Sequence, residues 1–400
     1  MKPLKIIIFD GSFKTTPFIN RLVKGLTETH HVYILGFNEK LSKKIKGVHY
    51  VSLGSNQNKL KFTLTTLKLL FQSSSYKRFF ATLKLLIYGK RQLLKQQNLY
   101  LALTSISPDI IHIQWPSTIQ WFEETLLQQK IPVLVSQRGF HSNVRPFVDA
   151  TNFQYLRQWY PKIAGFHSVS KAISANGDKI WNSPNKIDKV VYTGLDINKI
   201  HYTENYKVLA PLQILSVGRA HWIKGYDYAL QCCKILKDRD IPFLYTIIGG
   251  SGNEELQFLV NDLGLQNHVI LEKKIPQTKV FKVMSEASLL LMPSLEEGLP
   301  NVIVEAMAIG LPVISTDCGG VSELITHTKE GWLVPTRNSA AMALAIENFK
   351  QLPFPEIENV RSAARKKVEQ QHNEAQMIAG VEQLYKEVLA LNCGEEKHAS

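Results

Sequence analysis

Short runs of β-branched and other apolar residues, each followed by a stretch with helical spacing, recur along most of the chain. Runs of this kind are typical of parallel strands that helices cover on both faces. Seven runs lie in the first half and six follow residue 211: 5–10, 31–37, 47–53, 109–115, 131–137, 165–170, 189–194, 212–218, 243–250, 268–274, 288–294, 312–316 and 331–336. The pattern predicts an α/β protein built on parallel sheets.

A polar connection near residues 195–211 interrupts this alternation, which then starts again. A chain of 400 residues is too long for one ordinary hydrophobic core. We therefore predict two Rossmann-like, doubly wound domains in series, residues 1–195 and 196–375. Ligands of such sheets bind beyond the carboxyl ends of the strands, so a cleft between the two domains is the expected active site.

The net charge of +13 comes from one segment, residues 40–95. No acidic residue lies between Glu39 and Asp109, whereas thirteen Lys and Arg side chains do. Apolar residues alternate with these lysines at helical spacing, which suits an anionic membrane surface. The alternative is a solvated helical layer over a domain core. We expect no nucleic acid partner, because no compact binding module or aromatic platform is visible.

The four cysteines form neither a disulfide framework nor a CxxC metal pattern. The N-terminal apolar run is too short for a signal sequence, and no stretch approaches the roughly 18 apolar residues of a spanning helix. These features predict a reduced, cytoplasmic protein, peripheral at the inner face of the membrane through its basic segment. No Asp-x-Asp or His cluster stands at a strand end, so we expect no metal site and no cofactor.

The stretch SLEEGLPNVIVEAMAIGLP contains a strand-to-helix turn flanked by two glutamates, Glu297 and Glu305. Pro300 and Gly310 predict a helix over about 300–309. The free N–H groups at its start form an anion site suited to phosphate, and they belong to Gly298, Leu299, Asn301 and Val302. A carboxylate on each side of a bound diphosphate would accept hydrogen bonds from sugar hydroxyls. The spacing favours Glu297 over Glu296 for this role.

Two further strand ends carry candidate donor-site residues. Gly218 ends the run 212–218 and Arg219 follows it, with Lys224 five residues later, and two cations there would neutralise a leaving diphosphate. Gly250 belongs to the GGSG turn after the run 243–250, which lacks the spacing of a dinucleotide fingerprint. Taken alone, either feature is also common on ordinary surfaces.

Together these segments resemble the donor-binding half of the family 4 retaining glycosyltransferases of GT-B fold. The resemblance is carried by SVGRxxxxKG, IIGGSG, EEGLPNVIVEAMAIGLPVISTDCGGVSEL and GWLVP, within residues 212 to about 340. It implies that Glu305 binds the nucleotide ribose, that Glu297 contacts the donor sugar, and that Arg219 and Lys224 hold the diphosphate. It also implies two Rossmann-like domains facing a cleft, with a C-terminal helix, 376–392, crossing back to the first domain.

The N-terminal half resembles the family more loosely. Residues 9–26 are similar to the loop and first helix that approach the diphosphate, which makes Gly11 and Ser12 donor-binding candidates. Many members have His-Gly after the strand at 131–137, whereas this chain has Arg138-Gly139, with His141 following. Arg138 and His141 are therefore candidates for acceptor or donor-sugar contacts, and a packing role is the alternative.

The resulting hypothesis is a metal-independent, retaining hexosyltransferase acting in cell-surface polysaccharide assembly. Its donor would be a nucleotide diphosphate sugar, with UDP as a candidate nucleotide. Its acceptor would be a hydroxyl of a glycan or lipid-linked saccharide. A non-catalytic membrane-surface binding protein, and a sugar-nucleotide epimerase or a phosphorylase of the same plan, are the alternatives.

Overall fold

The computed structural model describes residues 2–37, 41, 44–72 and 76–398. Lys40 and Lys43 of the basic segment lie outside these ranges. The chain forms two compact units. The N-terminal unit comprises the residues up to 169, residues 174–191 and the residues from 374 onward. The C-terminal unit comprises residues 170–173 and 192–373, so the chain passes between units near 191, where the sequence places the boundary at 195.

A parallel sheet of seven strands forms the centre of the N-terminal unit, in the order β3-β2-β1-β4-β5-β6-β7. The strands are β1 (Lys5–Phe9), β2 (His31–Gly36), β3 (Val48–Ser52), β4 (Ile110–Ile113), β5 (Val133–Gln137), β6 (Gly165–Ser168) and β7 (Asp188–Val190). The helices are α1 (Pro17–Leu26), α2 (Lys59–Gln72), α3 (Tyr76–Ile87), α4 (Arg91–Ile106), α5 (Glu123–Gln128), α6 (Phe140–Asn143), α7 (Arg145–Val148), α8 (Ala150–Trp159) and α9 (Lys171–Ile180). This strand order matches that of a Rossmann fold with one added strand.

Strand β1 lies inside this sheet, between β2 and β4, and its apolar side chains are buried on both faces. Ile7 and Phe9 pack into the core on one face, while Ile6 and Ile8 pack on the other. Successive strand residues point to opposite faces, so a run without polar interruption is what a doubly covered strand requires.

The C-terminal helix α17 (Glu374–His398) packs on the N-terminal unit. Its apolar side chains Met377, Val381 and Leu384 join the core cluster that contains Ile6 and Ile8. Residues from the end of the described chain thus complete the core of the N-terminal unit.

A parallel sheet of six strands forms the centre of the C-terminal unit, in the order β10-β9-β8-β11-β12-β13. The strands are β8 (Leu212–Val217), β9 (Phe243–Ile248), β10 (Val269–Glu272), β11 (Leu289–Met292), β12 (Val313–Thr316) and β13 (Trp332–Val334). The helices are α10 (Tyr226–Asp238), α11 (Glu254–Asp262), α12 (Gln277–Glu286), α13 (Asn301–Ile309), α14 (Val321–Leu324), α15 (Ser339–Gln351) and α16 (Phe354–Gln371). The two predicted doubly wound sheets are confirmed, and each strand lies within its predicted run except β7, which begins one residue earlier, at Asp188.

None of the helices in the described ranges combines the length and the apolar character needed to cross a bilayer.

Candidate functional site

The strand order of the C-terminal unit reverses between β8 and β11, which lie side by side. At such a switch point the loops that follow the two strands diverge and leave a crevice at the carboxyl edge. The loop after β8 carries Arg219 and Lys224, and the loop after β11 carries Glu297. The sheet topology therefore brings the predicted cations and the first predicted glutamate to one place.

Backbone contacts join these two loops. The N–H of Leu295 donates to the carbonyl of Ile223 at 2.8 Å. Gly225 has a φ of +61°, and a Cβ on it would lie 2.1 Å from the carbonyl oxygen of Pro293. Only glycine fits this approach, which fixes the backbone next to Lys224. Gly225 belongs to the SVGRxxxxKG motif, but the motif alone does not place it in the site.

Lys224 and Glu297 form an ion pair, with Nζ 2.5 Å from Oε1. The hydroxyl of Ser294 donates to the same carboxylate oxygen at 2.8 Å. Both charged side chains are largely shielded from solvent, with 22% and 13% of their surface exposed. Glu297, the glutamate favoured by the spacing, thus contacts Lys224, one of the two cations predicted to bind the diphosphate.

Helix α13 starts beside this ion pair. Its N-cap is Pro300, so the helix begins one residue later than predicted, and it ends at Gly310 in the left-handed conformation with φ +82°. Ile303 and Val304 donate their N–H groups to the carbonyl of Pro300. Within the described part of the chain, the preceding amides of Asn301 and Val302 have no hydrogen-bond acceptor, as expected for a helix start. Asn301 and Val302 are two of the four residues whose N–H groups are predicted to bind phosphate.

Glu305 lies in the second turn of α13, and its side chain is buried except for 9% of its surface. The side-chain amide of Gln277, at the start of α12, donates to its Oε1 atom. At about 1.5 Å per residue, the four residues from Asn301 to Glu305 place this carboxylate roughly 6 Å along the axis from the helix start. Gln277 could not be predicted as a partner of Glu305, because no motif in the sequence around it marks that role.

Two consecutive glycines after β12, Gly319 and Gly320, pack against the backbone of the loop that carries Glu297. A Cβ on Gly319 would lie 1.8 Å from the carbonyl oxygen of Glu297, and φ at Gly319 is +51°. A Cβ on Gly320 would lie 2.2 Å from the carbonyl oxygen of Gly298. Both positions therefore need glycine, and both contribute to the site although neither was among the predicted site residues.

The other predicted residues of the C-terminal unit lie around the same strand ends. A Cβ on Gly218 would lie 2.8 Å from the hydroxyl of Tyr226 and 3.5 Å from Cε of Lys224. Arg219 follows and is exposed. Leu299 is buried beside the start of α13, whereas Gly250 lies in the turn after β9, its N–H bonded to the carbonyl of Ile247.

The predicted residues of the N-terminal unit follow β1 and β5. Gly11 has φ +76° with open space around it, and the hydroxyl of Ser12 accepts the N–H of Lys14 at 2.9 Å. The His141 ring is half-buried, 6.0 Å from the ring of Trp115.

Arg138 points into the N-terminal unit and is only 8% exposed. Its guanidinium lies 4.6 Å from the ring centre of Phe18, and one of its amino groups donates to Gln114 and to Ser136, each at 3.4 Å. Burial lowers the pKa of Arg138 to about 9, and the charge of Asp10 opposes the shift. The side chain therefore stays cationic at neutral pH, and its predicted sugar or acceptor contact remains a prediction.

A chain of hydrogen bonds crosses the buried sheet beside Arg138. His112 lies 2.8 Å from the hydroxyls of Tyr385 and Ser136, and the Ser136 hydroxyl lies 3.0 Å from Nδ1 of His167. Nε2 of His167 lies 3.1 Å from the carbonyl of Val191, so this nitrogen carries the proton. Burial lowers the pKa of both histidines, and both rings are neutral at pH 7. These hydrogen bonds join β4, β5 and β6 to α17, which is a structural role.

We expect acid to destabilise the protein through His167. Burial, aided by the charge of Arg138, lowers its pKa to about 3, against about 6.5 in an unfolded chain. Below pH 6.5 the unfolded chain protonates this histidine, whereas the folded protein keeps it neutral. The free energy of unfolding is therefore not reduced by His167 well above pH 6.5, and it is lower by about 1.4 kcal/mol near pH 5.5. Urea unfolding above pH 6.5 and at pH 5.5 measures this loss of stability. We expect a smaller loss in a His167→Gln variant than in the wild type. Equal pH dependence in variant and wild type would contradict the assignment.

In the described ranges, no three His, Cys, Asp or Glu side chains are grouped closely enough to hold a metal ion. Metal independence itself remains a prediction about the reaction.

Residues 204–367 match the family described as glycosyl transferases group 1. The amylovoran biosynthesis glycosyltransferase AmsK of Erwinia amylovora is 36% identical over 192 residues, 46% of this chain and 47% of that protein. The proposed colanic acid biosynthesis glycosyltransferase WcaL of Escherichia coli K12 is 34% identical over 188 residues, 45% of this chain and 46% of that protein. The match spans about half the length of these relatives and confirms the resemblance over the C-terminal unit.

Among solved structures, Anabaena Alr3699/HepE in complex with UDP and glucose has a TM-score of 0.71 and 15% identity. The alignment covers 96% of this chain and 100% of that one. At this identity the likeness concerns the fold, and it confirms the predicted GT-B class.

Proposed function

We propose, from the family match of residues 204–367 and the geometry of the donor site, that this chain is a glycosyltransferase of polysaccharide assembly. The proposed reaction moves a hexose from a nucleotide diphosphate sugar to a hydroxyl of a glycan or lipid-linked saccharide. The relatives named for colanic acid and amylovoran synthesis support the product class. The observation that carries the proposal is the Lys224–Glu297 ion pair beside the open amides of α13.

In this proposal the diphosphate binds at the start of α13. The amides of Asn301 and Val302 and the helix dipole attract the anion, and Lys224 and Arg219 add two positive charges. Negative charge grows on the diphosphate as the sugar leaves, so fixed cations stabilise the transition state more than the ground state. These groups would do so without a metal ion, and turnover should then persist in excess EDTA.

Glu297 acts in this scheme as a carboxylate that orients the donor sugar. Its contacts with Lys224 and Ser294 hold the carboxylate in place. We infer that this carboxylate accepts hydrogen bonds from hydroxyls of the donor sugar. Retention of configuration is carried over from the family, with the leaving phosphate accepting the proton of the attacking hydroxyl, so that no separate base is required.

Glu305 is assigned to the nucleotide ribose. Its buried position on α13 and its hydrogen bond from Gln277 fix one carboxylate oxygen before a ligand arrives. A carboxylate held in this way accepts hydroxyl hydrogen bonds at a low cost in side-chain entropy.

The donor is identified by a thermal-shift screen of nucleotide sugars, including UDP-linked hexoses. A cognate donor at 100 times its dissociation constant stabilises the folded state by about 2.7 kcal/mol. The identified donor is then incubated with and without saccharide acceptors, and with EDTA. A new glycosidic product that requires acceptor supports the transferase, whereas conversion without acceptor identifies an epimerase. Donor binding with no conversion under any acceptor condition favours the non-catalytic alternative.

Replacing Glu305 by alanine is expected to weaken nucleotide binding by about 10- to 100-fold, because a charged hydrogen bond is lost. Isothermal titration calorimetry with the nucleotide found in the screen measures the change. Glu286→Ala, which removes an exposed carboxylate at the far end of α12, is the control and should bind normally. An unchanged affinity in Glu305→Ala would remove the ribose assignment.

A further inference from the structure

The basic segment of the N-terminal unit, residues 40–95, contains strand β3, helices α2 and α3 and the start of α4. Phe62, Leu69 and Leu70 of α2 are buried, and Thr66 accepts a hydrogen bond from Asn98 inside the unit. This face provides the packing that an ordinary surface helix needs. Apolar residues elsewhere on α2 are therefore not required by the core.

Helix α2 carries a second apolar row on its outer side. Leu60, Leu64 and Phe71 are 70%, 57% and 75% exposed. At 3.6 residues per turn these three positions lie within about 40° of one another around the helix. The row runs the length of α2 and points away from the buried face.

The row continues onto α3. Phe71 contacts Phe79 with ring centres 6.2 Å apart, and Phe79 contacts Phe80 at 5.7 Å. Phe80, Ile87 and Tyr88 are 68%, 81% and 66% exposed. We call the six exposed side chains the α2–α3 face: Leu60, Leu64, Phe71, Phe80, Ile87 and Tyr88.

Exposed lysines accompany this face: Lys59, Lys61, Lys68, Lys84 and Lys90. Lys84 lies between Phe80 and Ile87 on α3, while Lys61 and Lys68 flank the row on α2. Because residues 40–108 include no carboxylate, no local negative charge neutralises these lysines. The only cation of this segment that forms an ion pair within the described ranges is Arg78, with Glu124.

We infer that the α2–α3 face docks on an anionic lipid bilayer. Exposed leucine, isoleucine and phenylalanine side chains enter the headgroup region, while the surrounding lysines contact anionic headgroups. A second copy of the chain is a poorer partner, because symmetric pairing would bring the same lysines together. Nucleic acid is also poorer, because aliphatic side chains do not stack on bases.

Vesicle flotation tests this inference, with phosphatidylcholine vesicles compared with vesicles that also contain phosphatidylglycerol. We expect binding only to the anionic vesicles, weakened as salt is raised. A Lys61→Glu, Lys68→Glu, Lys84→Glu variant should bind about 100-fold more weakly. Its control carries Lys207→Glu, Lys350→Glu and Lys366→Glu, which replace exposed lysines of the C-terminal unit.

A second test variant and its control measure how much the exposed apolar side chains contribute to vesicle binding. Leu64→Ser with Phe80→Ser should lower the binding that persists at high salt. Leu344→Ser with Phe258→Ser replaces side chains of similar exposure, 53% and 66%, on the C-terminal unit and should leave binding unchanged. The inference would be overturned by equal binding to both vesicle types or by equal effects of the test and control variants. It would also be overturned if the protein formed a dimer or an RNA complex and did not bind vesicles. Flotation requires no turnover, so failure here leaves the transferase proposal intact.

Discussion

Replacing Lys224 by alanine is expected to lower the transfer rate by about 100-fold or more, on the scale of losing one fixed donor to a developing negative charge. The lysine is 2.5 Å from Glu297 and follows β8 at the switch point. Its loss removes a positive charge from the proposed diphosphate site. It also leaves a largely buried carboxylate without its cation, which would repel the donor phosphates. Both effects act in the same direction.

The measurement is kcat with the donor from the thermal-shift screen, alongside the free energy of unfolding. Lys234→Ala is the matched control, because it breaks an ion pair with Asp238 on the exposed side of α10. We expect the control to keep its activity within about twofold, since exposed ion pairs contribute little. Arg219→Ala should lower the rate on the same scale as Lys224→Ala. A folded Lys224→Ala variant with near-normal kcat would contradict the diphosphate role.

The second large effect is expected from Gly319→Ala. The new methyl group would lie 1.8 Å from the carbonyl oxygen of Glu297, so the loop that carries this glutamate must shift. A misplacement of about 1 Å at a reacting centre can cost 100-fold in rate. The left-handed φ of +51° adds roughly 1–2 kcal/mol of backbone strain.

The variant Gly264→Ala distinguishes displacement of the loop that carries Glu297 from backbone strain. Its φ is +63°, so the strain is similar, but the nearest atom to its new methyl group would be the flexible end of Lys237 at 3.0 Å. Both variants should lose stability in urea unfolding, and only Gly319→Ala should lose about 100-fold in kcat. If Gly264→Ala lost as much activity, backbone strain and not the contact with Glu297 would be the cause.

The sequence predicted the parts of the site that depend on local pattern. The apolar runs located β8 and β11, and Pro300 and Gly310 bounded α13 to within one residue. Neighbouring parallel strands end at the same edge of a sheet, so residues that follow them could be expected to meet. The pairing of Lys224 with Glu297 follows from this rule.

Contacts between distant segments were not predictable in the same way. Gln277 reaches Glu305 only because α12 and α13 pack together, and no spacing in the chain marks that pair. Gly225 and Gly319 stand in recognisable turns, but the carbonyls that exclude a side chain there belong to another loop. A long side chain that follows a strand can point toward solvent or into the protein. Arg138 points inward because it contacts Gln114, Ser136 and Phe18 there.

The placement of α17 bears on the order in which this protein can fold during synthesis. Ribosomes release a chain from its N-terminus, and domains generally fold as they emerge. The C-terminal unit is nearly continuous in sequence, whereas the N-terminal unit needs Met377, Val381 and Tyr385 to close its core. The N-terminal unit is synthesised first, but it cannot complete its core until α17 has left the ribosome. Until then, part of the surface of β1 stays uncovered.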